Sequence, residues 1–169
     1  MKLIWYPSVS LDGLIADSTG RSDFVTEADE RQFAKLVHSA GALVVGRRTF
    51  AQYHQPRNPF PKVTTYVLTT DIHLRSDDPA VVYVTGGPME VMRRLHADSR
   101  LITVLSGGGQ TSGLFAAKGL IDEAWISINP LVMGAGTPML GDYRGTLRLD
   151  WREGFMLPGG IVHNRYEVR

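Results

Sequence analysis

The chain has no cysteine. Disulfides, thiolate nucleophiles, thiolate zinc sites and iron–sulfur clusters are therefore excluded. The absence also fits a cytoplasmic protein. No stretch approaches the ~20 apolar residues of a membrane span, and Met1–Pro7 is too short an apolar run for a signal peptide. Excess charge is lacking too: 18 Lys and Arg against 17 Asp and Glu leave a formal net charge of +1. Nothing global then recruits nucleic acid or an acidic membrane surface. The five histidines form no HxH or HxxxH pair, so no metal site is expected. A G-x-S-x-G elbow is missing, which leaves a hydrolase triad of that type unsupported. Without repeats, low-complexity tracts or long linkers, the 169 residues read as a single domain.

What the chain does have is Leu101–Phe115, L-I-T-V-L-S-G-G-G-Q-T-S-G-L-F. An apolar strand ends at Ser106, Gly107, Gly108 and Gly109 follow, and a helix begins near Gln110–Ser112. Missing Cβ atoms let backbone N–H groups approach an anion, and the helix start adds unpaired donors and partial positive charge. The alternative reading is a tightly packed strand–helix corner. A two-half dinucleotide fold would place such glycines near its first strand, with an acidic residue ending the next strand. Here they come late, and Asp122 and Glu123 precede the next strand. The Walker pattern fails as well, since no Gly-Lys-Ser/Thr follows.

Hydrophobic spacing predicts strands at Lys2–Val9, Ala42–Val45, Val63–Leu68, Val81–Val84, Leu101–Leu105, Glu123–Leu131, Thr146–Leu157 and Ile161–Val168. Helices are predicted at Glu27–Ser39, Arg47–Tyr53 (stopped before Pro56), Pro88–Ala97 and Gln110–Lys118. Thr26 is a suitable N-cap for the first helix and Gly41 a suitable terminator. Pro158-Gly159-Gly160 joins the last two strands as a hairpin. Strands alternating with helices imply an α/β fold of three layers, a mainly parallel central sheet of about eight strands, with the C-terminal hairpin as an antiparallel edge. That hairpin and the 123–131 strand offer edges at which a homodimer would pair.

Two further strand ends carry anion chemistry. Val44-Val45-Gly46-Arg47-Arg48-Thr49-Phe50 delivers two arginines to the start of a short helix. Guanidinium groups there fork onto phosphate oxygens, although a solvated Arg pair is the plainer alternative. Leu68-Thr69-Thr70 adds two hydroxyls. In an open parallel sheet all three ends share one edge, where ligands bind, so the ligand should carry more than one phosphate. In the loop Ser8–Asp17, Ile15 and Ala16 stand out as apolar and suit a flat ring. Its polar neighbours make an ordinary loop with an apolar plug the competing reading.

Together S-L-D-G-L-I-A at 10–16, V-V-G-R-R-T-F at 44–50, V-L-T-T at 67–70, L-S-G-G-G-Q at 105–110 and D-E-A-W-I-S-I-N-P-L-V-M-G-A-G-T-P-M-L at 122–140 resemble the dihydrofolate-reductase-like family. Within it, the chain is most similar to the branch holding the reductase domain of the bifunctional riboflavin-biosynthesis deaminase/reductase and its stand-alone relatives. The resemblance implies NADPH as cofactor. Gly46, Arg47, Arg48 and Thr49 would meet its phosphates, with Arg47 on the 2′-phosphate. Leu68, Thr69 and Thr70 would lie near the adenosine. Ser106, Gly107, Gly108, Gly109, Gln110 and Thr111 would hold the pyrophosphate, and Ile15 and Ala16 would flank the nicotinamide. Hydride transfer to a pterin- or pyrimidine-like ring is the implied reaction. Asp29 would be the carboxylate that polarises the substrate, with Asp12 and Asp23 as rivals, and Trp5 and Phe33 would touch the substrate. Asp29 and Phe33, four apart, share a helix face; an acidic residue in a first turn also simply complements the helix dipole. Two alternatives stay open: reduction of a ribosylamino-pyrimidine phosphate, and a non-catalytic module that only binds NADPH.

Overall fold

The computed structural model of the chain describes residues 1–55 and 58–169. Eleven strands and four helices follow in order among the described residues. They are β1 Lys2–Trp5, β2 Ser8–Val9, β3 Leu14–Ala16, α1 Glu27–Ala40, β4 Ala42–Gly46, α2 Arg47–Tyr53 and β5 Thr64–Leu68. Then come β6 Val81–Val84, α3 Pro88–Ala97, β7 Ile102–Gly107, α4 Gly109–Ala117 and β8 Glu123–Ile128. β9 Thr137–Pro138, β10 Leu149–Leu157 and β11 Ile161–Val168 complete the chain.

The main sheet runs β10-β11-β8-β1-β7-β4-β5-β6, with β2 added beside β8. From β8 to β6 all neighbours are parallel, and only β11 and β10 reverse. Side chains alternate across it. Leu3, Trp5, Val44, Leu105 and Ala124 pack with Val91 and Leu95 of α3 and Phe115 of α4. Tyr6, Leu43, Val45, Val67 and Val104 pack on the opposite face with Val37 of α1 and Phe50 of α2. The predicted three-layer α/β architecture is the one observed.

Where the elements differ, the cause is local. The expected strand Lys2–Val9 is interrupted at Tyr6–Pro7, since proline lacks the N–H that a ladder needs. Residues 14–16 are a strand rather than loop, because β9 supplies a partner far along the chain. β8 stops at Ile128, ahead of Asn129-Pro130. It lies inside the sheet between β11 and β1, so it offers no edge for a second copy; of the two expected edges only β10, in the hairpin, is free. α1 begins and ends as its sequence indicates: Thr26 Oγ1 accepts the Asp29 amide and Gly41 takes the left-handed conformation at φ 71°. Pro56, the expected stop for α2, lies outside the described residues.

His54 caps α2 and stacks on Phe50 with ring centroids 5.6 Å apart. It is buried, and burial holds its pKa down at about 4. The unfolded histidine binds its proton near pH 6.5. Between those values the unfolded chain carries more protons, so stability present above about pH 6.5 is lost as pH falls toward about 4, by up to about 3 kcal/mol. Buried His163, its pKa also lowered chiefly by burial, adds in the same direction. Urea unfolding at pH 7 and pH 4.5 reads the slope. His54→Phe should flatten it, and an unchanged slope assigns the effect to another group.

Candidate cofactor cleft and the carboxylate beside it

The three strand ends singled out in the sequence lie side by side. β7, β4 and β5 are consecutive and parallel, with Val45 level with Gly107 and Gly46 level with Leu68. A fourth end was missed. β6 pairs Val84 with Leu68 and runs through Thr85-Gly86-Gly87 into α3, which starts with Pro88. Strand, two glycines and a helix-start proline repeat the pattern of the other sites, so the signal was present in the sequence. Four strand ends and the starts of α2, α3 and α4 thus share one edge.

The three glycines have different duties. Gly107 sits at φ 95°, and a Cβ there would fall 2.6 Å from Ser112 Oγ. Gly109 is clamped: its Cβ would lie 2.3 Å from the Pro138 carbonyl oxygen and 3.0 Å from the Gly141 amide nitrogen. Both are close-packing glycines, as the corner reading expected. Gly108 alone is open. A Cβ on it would meet only Thr49 Oγ1 at 3.2 Å and Ile15 Cδ1 at 3.7 Å. Its N–H is not free, since it donates to Thr49 Oγ1 at 2.9 Å. The first amides of α4 remain without intrahelical acceptors. The β4–β7 register shifts at Ser106, which is left outside the ladder and half-buried.

Thr49 therefore acts on the glycine loop, where direct phosphate contact was expected. Arg48 reaches across the edge to Gln110 Oε1 at 3.4 Å, and Gln110 in turn reaches Asp142 at 3.4 Å. Arg47 is exposed at the first position of α2, and no described residue pairs with it. Thr111 is buried, its Oγ1 only 2.3 Å from where a Cβ on Gly46 would stand, so it seals α4 onto β4. Thr69 Oγ1 accepts the Asp71 amide and shapes the turn after β5, while Thr70 is exposed. Ile15 falls at the irregularity between the paired residues Leu14 and Ala16 in β3, which aims it at Gly108. Ala16 itself is turned inward and buried. Two open concavities of about 500 and 420 Å³ lie elsewhere. The larger is lined by Lys2, Glu123 and Glu167, charges that already pair with one another or with Arg152. The cleft is marked by convergent polar groups rather than by volume.

The carboxylates are not as expected. Asp12 is exposed and accepts the amides of Met133 and Gly134 at 3.1 and 2.8 Å. The Ser10 hydroxyl first, then these two amides, lower its pKa to about 2, so it fastens a loop and holds no proton to donate at neutral pH. Asp23 pairs with Arg21 at the surface. Asp29 is fully buried, not a solvated first-turn acid. Its Oδ1 accepts Tyr6 Oη at 2.7 Å and Ser127 Oγ at 2.6 Å, and its Oδ2 has no partner among the described residues. Ser127 has one proton and gives it to Asp29. His163 Nδ1, 2.8 Å from the same oxygen, must then be the donor there. His163 Nε2 is left as a buried lone pair with no partner among the described residues. Burial first, then Asp29, push the Tyr6 phenol above its ordinary range.

Phe33 follows on the same helix face and packs 5.3 Å from the Tyr6 ring and 6.0 Å from Phe60. Trp5 is corrected: it is buried on the opposite face of the sheet with α3 and α4, because adjacent strand residues alternate sides. Tyr6, Ser127 and His163 went unrecognised in the sequence. Their meeting depends on β8 pairing with β11, Ser127 level with His163. No helix is long and apolar enough to cross a membrane among the described residues.

Helices on both faces of this sheet, with a polar cleft across the strand ends, make up the dihydrofolate-reductase-like fold. The fold matches dihydrofolate reductase from Enterococcus faecalis complexed with NADP(H), at TM-score 0.70 and 17% identity, covering 99% of this chain and 96% of that one. More particularly, residues 1–154 match the family model of the RibD C-terminal domain, and the chain belongs to that family. It is 26% identical over 153 residues to the uncharacterized protein YwjB of Bacillus subtilis (strain 168), covering 88% of this chain and 87% of the relative. A putative riboflavin biosynthesis protein from Shewanella sp. PV-4 superposes at TM-score 0.81 with 23% identity, covering 100% of this chain and 99% of that one.

Proposed function

We propose that this protein is an NADPH-dependent oxidoreductase that reduces a small heterocycle, pterin- or pyrimidine-like. The observation that carries the reading is the open Gly108 position between Thr49 and Ile15, on the same sheet edge as the exposed guanidinium of Arg47, which pairs with no described residue. A cradle that a single Cβ would narrow, beside an exposed cation and helix-start amides, fits a ligand with several phosphates and a flat ring. Family membership supports it, and riboflavin biosynthesis in the name of a structural neighbour favours a pyrimidine ring over a pterin.

When bound, the nicotinamide supplies a hydride to a C=N or C=O carbon. The chain's residues bind and orient. Amides of Gly109–Thr111 take the pyrophosphate, Arg47 the 2′-phosphate, and Ile15 one face of the nicotinamide. Thr69 and Thr70, joined by Thr85–Gly87, border the adenosine end. Thr49 keeps the glycine loop in position through the Gly108 amide. Arg48 and Gln110 meet at the edge of the cleft, 3.4 Å apart. The partner is a small molecule, and a second copy of the chain would add at β10.

Titration of the protein with NADPH, read by nicotinamide fluorescence, tests the reading. Saturable binding is expected. Silence with both NADPH and NADH at millimolar concentration overturns it.

A further inference from the structure

His163 lies in the middle strand of three. In register it is level with Ser127 of β8 on one side and Phe155 of β10 on the other. Its ring is fully buried, 4.9 Å from Phe155, 5.4 Å from Tyr6 and 6.3 Å from Trp125. The hydrogen bonds beside it run one way. His163 Nδ1–H donates to Ser127 Oγ, and Ser127 donates to Asp29 Oδ1. That order leaves a single nitrogen, Nε2, to take a second proton, and no described residue stands there as acceptor.

Each element packed on the ring brings its own groups. Asp29 of α1 attracts a proton to the imidazole. Arg165 of β11 opposes it, and Glu153 of β10, which pairs with that guanidinium, offsets Arg165. β8 contributes the neutral Ser127 and Trp125, and Tyr6 contributes a neutral phenol. Burial outweighs Asp29 and holds the His163 pKa below its ordinary value of about 6.5. A charged ring with an unpaired N–H is therefore tolerated only where water reaches Nε2.

The cover that moves most easily is Phe155. Tyr6 belongs to the buried core, and Trp125 stands on β8, which is paired on both sides. Phe155 stands on β10, an edge strand that pairs only with β11 and is exposed from Trp151 to Met156. The ladder of β10 is already irregular between Trp151 and Glu153. β11 has its own ladder to β8 from Val162 to Glu167, so β10 can lift without it.

We propose that His163 is an acid-operated latch of the C-terminal hairpin: neutral, it closes the chain to Ser127 and Asp29 beneath β10, and on taking a second proton at Nε2 it opens β10 at Phe155. The sign follows from linkage. Opening returns His163 to water and to its ordinary proton affinity. The closed form is therefore favoured fully above about pH 6.5 and loses ground as pH falls.

Imidazole 15N spectra and amide hydrogen exchange of the full chain test the latch. At pH 7.5 His163 should carry its proton on Nδ1, with Nε2 bare. The amides that join β10 to β11 around Phe155 should exchange through a local opening, less protected than those of β4 and β7. Their protection, corrected for the intrinsic rate, should fall about three- to tenfold for each pH unit between about 6.5 and 5. His163→Phe keeps an aromatic ring that takes no proton and should abolish the fall. His54→Phe, which removes the other buried histidine, should leave it in place. A proton on Nε2 at pH 7.5 overturns the proposal. So does hairpin protection that is flat with pH, that equals the protection of β4 and β7, that still falls in folded His163→Phe, or that stops falling in His54→Phe. Should His163→Phe not fold, the wild-type tautomer and the exchange of the wild type and His54→Phe decide. None of these readouts uses NADPH.

Discussion

Arg47→Ala weakens NADPH binding about ten- to a hundredfold and leaves NADH binding unchanged. Arg47 opens α2 immediately after Gly46, and its guanidinium is exposed without a described partner. Its neighbour Arg48 already contacts Gln110. A charge-assisted hydrogen bond to a phosphate contributes about 1.5–3 kcal/mol, and 1.4 kcal/mol is tenfold in affinity. NADH lacks the 2′-phosphate, so the loss should be confined to NADPH. Because the site is open, the difference should shrink at high salt. Arg47→Lys restores charge but not the fork and recovers only part of the affinity. Parallel fluorescence titrations with both coenzymes decide the matter. Equal losses would remove the 2′-phosphate role from Arg47.

The legible parts of this molecule are those set by short-range chemistry. α2, α3, β6 and β11 fall where hydrophobic spacing put them, because each is bounded by glycine, proline or a change of period within a few residues. The order β7-β4-β5 along one edge follows from parallel strands with helical crossovers, so three separate anion-friendly ends could be read as one cleft. What stayed hidden depends on distant pairing. β3 exists only because Thr137 and Pro138 come back to it. Asp29 could be read as a substrate-polarising carboxylate or as a dipole-complementing acid, since nothing near it in the chain shows that Tyr6, Ser127 and His163 close around it. Trp5 and Tyr6 illustrate the same limit. One residue of register separates the α3–α4 face from the face that holds Asp29.

The glycine loop is where both levels meet, and a pair of substitutions separates them. Gly108→Ala should fold nearly as the wild type does. Its φ of −59° is open to alanine, and its closest obstacle is a side-chain oxygen, Thr49 Oγ1, at 3.2 Å. The methyl nevertheless projects toward Thr49 and Ile15, into the space assigned to the cofactor, so NADPH affinity should fall by at least about tenfold. Gly109→Ala should do the reverse first. Its methyl meets the backbone of Pro138 and Gly141, which cannot rotate away as a side chain can. The 138–141 segment must move, at a cost of about 1–3 kcal/mol. That segment starts at Pro138, the last residue of β9 and the partner of Leu14 in β3, so the displacement also reaches Ile15. Thermal unfolding with NADPH titration distinguishes the two. A wild-type melting temperature with lost binding is expected for Gly108→Ala, and a lowered melting temperature for Gly109→Ala. If Gly108→Ala binds NADPH as the wild type does, the open glycine is not part of the cofactor cradle, and the anion site lies at the Arg47 end alone.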